Sequence, residues 1–123
     1  MSANGTARWP VELRLKSAEK LLEVTFDDGS RFHLPAEYLR VESPSAEVQG
    51  HGAGQKTLVQ GRAHVGIIGL ETVGNYAVRI TFDDLHDTGI YSWSYLYQLG
   101  VEHDKRWREY LHGLAARGLS REP

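Results

Sequence analysis

Residues 76–100 read YAVRITFDDLHDTGIYSWSYLYQLG, from Tyr76 to Gly100. The stretch opens in alternation. Tyr76, Val78, Ile80 and Phe82 fall on one side, and Ala77, Arg79 and Thr81 on the other, the pattern of a half-buried strand. Asp83-Asp84 marks a turn, a short second strand follows, and Ser92 starts a helix that Gly100 ends. His86 sits in the turn between Asp84 and Asp87, so the functional question begins with that histidine.

Working outward, the same grammar recurs upstream. Val11, Leu13 and Leu15 alternate with Glu12, Arg14 and Lys16, and Leu22, Val24 and Phe26 with Glu23 and Thr25. Ser17–Lys20 is a polar turn. Asp27-Asp28-Gly29-Ser30 is a hairpin turn, because Asp and Gly tolerate positive φ. Arg31–Leu34 returns as a strand, and Pro35 suits the first position of a short helix to Arg40. Residues 42–64 break every periodicity and read as a long Gly-rich loop. Val65–Val73 resumes as a strand, with Gly74-Asn75 as a two-residue hairpin connection to Tyr76. Glu102–Arg117 is a terminal helix with Trp107, Leu111 and Leu114 on one face and Gly118 as its stop.

The two copies of this grammar resemble each other. Val24-Thr25-Phe26-Asp27-Asp28 followed by Tyr38-Leu39 matches Ile80-Thr81-Phe82-Asp83-Asp84 followed by Tyr95-Leu96, with Phe-to-Leu spacings of 13 and 14. Chance similarity and an internal repeat both fit two Phe-Asp-Asp turns. Either way, the expected fold is α+β, mostly antiparallel strands and hairpins with short helices and a C-terminal helix.

Composition narrows the function classes. The chain has 123 residues, a net charge of −2 and no cysteine. It is one domain by length. The absence of cysteine removes disulfides, thiolate catalysis and Cys-ligated clusters. No basic stripe offers a phosphate footprint, so nucleic acid is not an expected partner. No apolar run spans a membrane and the first residues lack a signal-peptide core, so the expected location is cytoplasmic, with no membrane partner. A homo-oligomer stays open.

Three segments carry a family resemblance: residues 39–52 (LRVESPSAEVQGHG), Val73-Gly74-Asn75-Tyr76-Ala77, and residues 82–93 (FDDLHDTGIYSW). Together they resemble the domain of unknown function 971 family, also called the gamma-butyrobetaine hydroxylase-like N-terminal domain, here in the form of a bacterial standalone member. The resemblance runs from about Trp9 to Gly100. The small, polar residues 1–8 read as a disordered tail, the resemblance gives the family domain at 9–100, and the helix at 101–118 and the tail at 119–123 lie outside it. In dioxygenases carrying this domain it holds a structural zinc through a Cys-x-Cys-x-x-Cys group after a Leu-Arg pair, plus one histidine. On this chain the cysteine positions fall at Ser43, Ser45 and Val48, and the histidine at His86. The family zinc site is therefore largely lost and no cofactor is expected. Leu85 departs from the glycine usual in the family. Fusions of the domain to iron–sulfur carriers imply a link to iron–sulfur or metal cofactor handling.

The candidate sites follow. His86 with Asp84 and Asp87 could ligate a metal or shuttle protons, or could be a turn histidine bonded to nearby backbone. His51, flanked by Gly50 and Gly52, could fold back to join His86, with Asp84 or Glu47 completing a weak metal site; otherwise it is solvated in a mobile loop. Tyr95 and Tyr97, with Gln49 and Gln55, are the candidate contacts for a protein partner, while Trp93 and Leu96 are expected in the core. The Asp pairs point apart as turn formers, and no nucleophile–base motif is present. The expectation is a small non-enzymatic binding or adaptor domain, with a metal-binding domain using His86 and His51 as the alternative.

Overall fold

Alternation with short acidic turns builds two three-stranded meanders. The computed structural model describes residues 9–50 and 56–123. Strands β1 (Pro10–Lys16), β2 (Leu21–Phe26) and β3 (Arg31–Pro35) form the first antiparallel sheet and lead into helices α1 (Ala36–Val41) and α2 (Ala46–Gln49). Strands β4 (Ile67–Val73), β5 (Ala77–Phe82) and β6 (Ile90–Ser92) form the second and lead into α3 (Trp93–Val101) and α4 (His103–Ala116). The fold is α+β.

The central strands supply the core. Leu22, Val24 and Phe26 of β2 and Val78, Ile80 and Phe82 of β5 are all but inaccessible, packed with Leu34, Leu39, Tyr91, Trp93, Leu96 and Leu99. Burying each such side chain contributes about 1.5–3 kcal/mol. A second cluster, Val41, Val48, Val59, Tyr110 and Leu114, lies under α4.

The two meanders repeat bond by bond. In each, the first strand bulges one residue after its Phe-paired position: Pro10 pairs Phe26 before Glu12 pairs Thr25, and Ile67 pairs Phe82 before Gly69 pairs Thr81. Each acidic turn then closes identically. Phe26 N–H donates to Ser30 O and Phe82 N–H to His86 O; Asp28 Oδ1 accepts from Ser30 N–H and Asp84 Oδ1 from His86 N–H. Gly29 and Leu85 occupy the same left-handed position, with φ of 88° and 73°. The helices are exchanged reciprocally. Tyr38 hydroxyl donates to Leu99 O at 2.7 Å and Tyr95 hydroxyl to Glu42 O at 2.6 Å. Arg40 Nε donates to Asp84 Oδ2 and Tyr97 hydroxyl to Asp28 Oδ2. Chance does not repeat a bulge, a turn and two crossed contacts, so the internal repeat is the correct alternative.

Four sequence expectations are corrected. Tyr76 is in the turn, 56% exposed, because Val73 pairs with Ala77 and the connection has three residues, Gly74–Tyr76. Gly100 is inside α3, and it is glycine for packing: a Cβ there would lie 2.3 Å from the Phe32 ring. On α4 the buried face is Tyr110 and Leu114 with Trp107 beside them, while Leu111 is exposed, because the helix meets α1 and residues 58–59 along that stripe. The helix stop at Gly118 does hold. Gly118 N–H reaches Ala115 O and Leu119 N–H reaches Leu114 O, the paired bonds of a left-handed cap.

The fourth correction concerns the long loop and the tail. Residues 42–64 contain α2, and Thr57 N–H donates to Val48 O. Leu119–Pro123 is a strap laid along the loop: Gly61 N–H donates to Ser120 O and Ala63 N–H to Arg121 O. Loop and tail satisfy each other's backbone groups, which neither could do alone.

Candidate functional site

The second acidic turn carries the candidate site. Its left-handed residue, Leu85, directs the chain so that His86 turns inward, 9% exposed. His86 Nε2 lies 2.9 Å from Ser43 Oγ and 3.3 Å from Ser45 Oγ, and Ser43 Oγ donates to Ser45 Oγ at 3.1 Å. Both serines are buried. Ser43 is admitted by Gly89, where a Cβ would stand 2.4 Å from Ser43 Oγ. Burial, and then the nearby Arg40 charge, hold the His86 imidazole below its ordinary value, so it favours the neutral ring.

Around this triad runs a charged shell. Asp84 Oδ2 accepts from Arg40 Nε at 2.9 Å and from Arg62 Nε at 2.8 Å. Partial burial works to raise Asp84, but the His86 N–H and Arg40 outweigh it and hold the carboxyl below the usual range. Arg40 is 8% exposed, and its Nη1 has no hydrogen-bond partner among the described residues. Gln49 Nε2 donates to Ser43 O at 2.9 Å, and Thr88 donates to Glu47.

The positions expected from the resemblance are thus brought together in part. Ser43, Ser45 and His86 meet; Val48 is buried in the cluster under α4. Two neutral hydroxyls and one imidazole, with a hydrocarbon at the fourth position, do not fit a structural zinc, which takes thiolate and imidazole donors. Asp84 does not face the His86 ring: it holds the His86 backbone and two arginines. Among the described residues no group of three or more His, Asp or Glu side chains could hold a metal ion. His51 and Gln55 lie outside the described residues.

The expected partner contacts Tyr95, Tyr97 and Gln49 keep part of their surface exposed. Tyr95 and Tyr97 are half-buried, and their hydroxyls bond within the domain. Tyr97 packs edge-on against Phe26 and Phe32, at 5.0 and 5.4 Å between ring centroids. Both residues join the two halves. Burial pushes the Tyr95 hydroxyl up to about 12. More exposed apolar groups stand on both meanders: Leu85 at 78%, Ile68 at 61% and Ile90 at 44% on the second, Val11 at 64% on the first.

Sequence reasoning missed Arg40, Arg62 and the Glu37–Arg121 pair. Arginines have no periodic signature, and these pairs span 22 to 84 residues. A cleft of about 210 Å³ beside α4 holds Glu42, whose carboxylate accepts from Lys56 and Arg106. No helix among the described residues is long and apolar enough to cross a membrane.

Two meanders joined through exchanged helices, with a turn histidine sealed by two serines, define a class of small α+β domain. A family model described as gamma-butyrobetaine hydroxylase-like, N-terminal, matches residues 13–97, and the chain belongs to that family. Two NMR solution structures are each 46% identical. One has a TM-score of 0.82 with 94% of this chain and 91% of that chain covered, the other 0.83 with 100% and 92%. A crystal structure of a protein of unknown function from the DUF971 family of Acidithiobacillus ferrooxidans ATCC 23270 is 37% identical, with a TM-score of 0.63, covering 74% of this chain and 91% of that one. No curated protein matches the chain.

Proposed function

We propose that the domain is a non-catalytic binding module that docks a protein partner on the second meander, around Leu85. The observation that carries this reading is Leu85 itself. A leucine in the left-handed region costs about 1–2 kcal/mol relative to an unstrained residue, and here the side chain returns nothing to the core, being 78% exposed. The equivalent position in the first meander is Gly29, at φ 88° with open space around it, so the fold works with glycine there. Strain kept where folding does not need it points to a surface used for something else. Ile68 bulges beside the Ile67–Phe82 pair, and the turn bearing Leu85 closes on Phe82, so the two apolar groups share one end of the sheet.

The link to iron–sulfur or metal cofactor handling rests on the resemblance alone. The test is Leu85→Gly. It raises the melting temperature, by relief of strain worth roughly 1 kcal/mol, and lowers capture of the cellular partner in affinity purification. A variant that captures the same proteins as the native chain would refute the Leu85 surface.

A further inference from the structure

One buried charge stands where the repeat has hydrocarbon. Glu42 follows α1 and is 4% exposed. Its counterpart is Leu99, each the same distance after its tyrosine: Tyr95 hydroxyl donates to Glu42 O as Tyr38 hydroxyl donates to Leu99 O. Leu99 is fully buried. The other half of the fold is thus closed with leucine at this place, and a carboxylate here carries a desolvation cost. Glu42 Oε1 accepts from Lys56 Nζ at 2.7 Å and from Arg106 Nη1 at 2.9 Å, while Oε2 accepts from nothing among the described residues. The one enclosed side-chain atom left without a partner among them is Arg40 Nη1, so Glu42 Oε2 opens onto the cleft that Glu42 lines.

Hydrocarbon surrounds that oxygen. Val41, Leu58, Val59 and Tyr110 line the cleft, together with Gly113. Gly113 lies inside α4 without a left-handed φ, where glycine weakens a helix relative to alanine. A Cβ there would stand 3.4 Å from a Leu58 methyl, an ordinary contact, so packing does not demand glycine. Its missing methyl widens the cleft. At about 210 Å³ the space is smaller than the roughly 300–1,000 Å³ of a drug-sized site. The charges around it offset one another: Lys56, Arg106 and Arg117 against Glu42, Glu109 and the Arg106-bound Glu102. That balance suits a ligand without net charge. Lys56 uses one ammonium proton on Glu42 and keeps the others. An open acceptor beside an open donor is the complement of an amide edge, which presents N–H beside C=O.

We infer that the cleft between α4 and residues 56–59 binds a small uncharged amide carried on an apolar ring. The amide N–H donates to Glu42 Oε2, the amide carbonyl accepts from Lys56 Nζ, and the ring lies against Val59, Tyr110 and Gly113. The site shares no residue with the Leu85 surface and does not depend on it.

The test is a titration of the 15N-labelled full chain with benzamide. Methyl benzoate, which keeps the ring and the carbonyl and lacks the N–H, is the control. Benzamide gives saturable amide shifts at Leu58, Val59 and Gly113, and methyl benzoate binds at least tenfold more weakly. Glu42→Leu installs the residue of the other half and removes the benzamide response. Should that variant not fold, Gly113→Ala decides: it raises the melting temperature by restoring a better helix former and weakens benzamide at least fivefold by filling the wall. Equal binding of the two probes overturns the proposal, as do shifts that fall only on other residues, the lack of any saturable shift up to the solubility of benzamide, or undiminished binding by Gly113→Ala. None of these results touches the Leu85 surface, whose readout is partner capture.

Discussion

The first and second meanders share a backbone and differ in what fills the same places. Phe32 in the first corresponds to Gly89 in the second, and Ser43 after α1 corresponds to Gly100 in α3. The contact is made both times in opposite senses: Phe32 lies over Gly100, and Ser43 lies over Gly89. One crossing is closed by an aromatic ring, the other by hydroxyls and an imidazole. Ser30 corresponds to His86, Gly29 to Leu85, and Tyr97 to Arg40. The first acidic turn is thus the apolar version of the crossing, with a glycine at its left-handed position and the Tyr97 and Phe32 rings over it. The second keeps the same hydrogen bonds while carrying a buried histidine and a strained leucine and receiving a buried arginine, Arg40, from α1. The departures at the second turn mark where something other than folding shaped the chain.

That comparison can be broken most forcefully at the glycines. Gly100→Ala drives a Cβ into the root of the Phe32 ring, which cannot swing away, and costs about 3 kcal/mol in chemical denaturation. Gly89→Ala meets chiefly the Ser43 hydroxyl, with the Tyr91 ring at 3.2 Å, and costs less, about 1–2 kcal/mol. Ser43→Gly should recover most of the second loss and none of the first. Additive losses in the Gly89→Ala/Ser43→Gly pair would mean the crossing is not a direct contact.

The reciprocal tyrosines come next. Tyr38→Phe removes a donor from Leu99 O at a site 1% exposed, and Tyr95→Phe removes one from Glu42 O at a half-buried site. The expected costs are roughly 1.5 and 0.5–1 kcal/mol respectively. The reverse order, measured by urea midpoints, would show that the second crossing bears more of the fold.

A transplant at the turns is smaller. Gly29→Leu brings the strain of Leu85 into the first half and should cost about 1 kcal/mol, the mirror of the gain expected from Leu85→Gly. If Gly29→Leu is neutral, the left-handed leucine is not strained and the argument for the Leu85 surface fails.

Acid provides the mildest discrimination. The His86 ring, held below its ordinary value, resists a proton that the unfolded chain accepts. The unfolded state therefore binds more protons as pH falls below about 6.5, and stability declines from there down to the folded value. Ser30, the counterpart of His86, cannot titrate. Amide protection factors in β5 and β6 should fall on acidification before those in β2 and β3, and His86→Gln should remove the difference. His103, also depressed by burial, contributes a similar decline through Tyr38, on which it stacks at 4.3 Å between ring centroids. His86→Gln therefore leaves that part of the acid response in place.

Much of the fold was legible in residue order, because it is local. Alternation fixed β2 and β5 to within a residue, the Asp-Asp turns fixed the hairpins through their own side-chain bonds, and Ser92 capped α3 by accepting from Tyr95 N–H. The repeat was visible as two Phe-Asp-Asp turns at nearly equal distance from Tyr-Leu. Tyr76 misled because alternation cannot count the residues of a turn, and Leu111 because helical spacing does not say which side of a stripe meets a neighbour.

The site was legible only as isolated letters. His86 stood out in its turn, and Ser43 and Ser45 through their resemblance to ligand positions, but nothing local says that they touch. Only tertiary structure decided that the imidazole is sealed by two hydroxyls, that Asp84 serves two arginines instead of the histidine, and that Arg121 reaches Glu37 across 84 residues. The physical reason is range. Strand pairing and turns are set by neighbours along the chain. A buried charge finds its partner only after the two sheets have packed and removed water from between them.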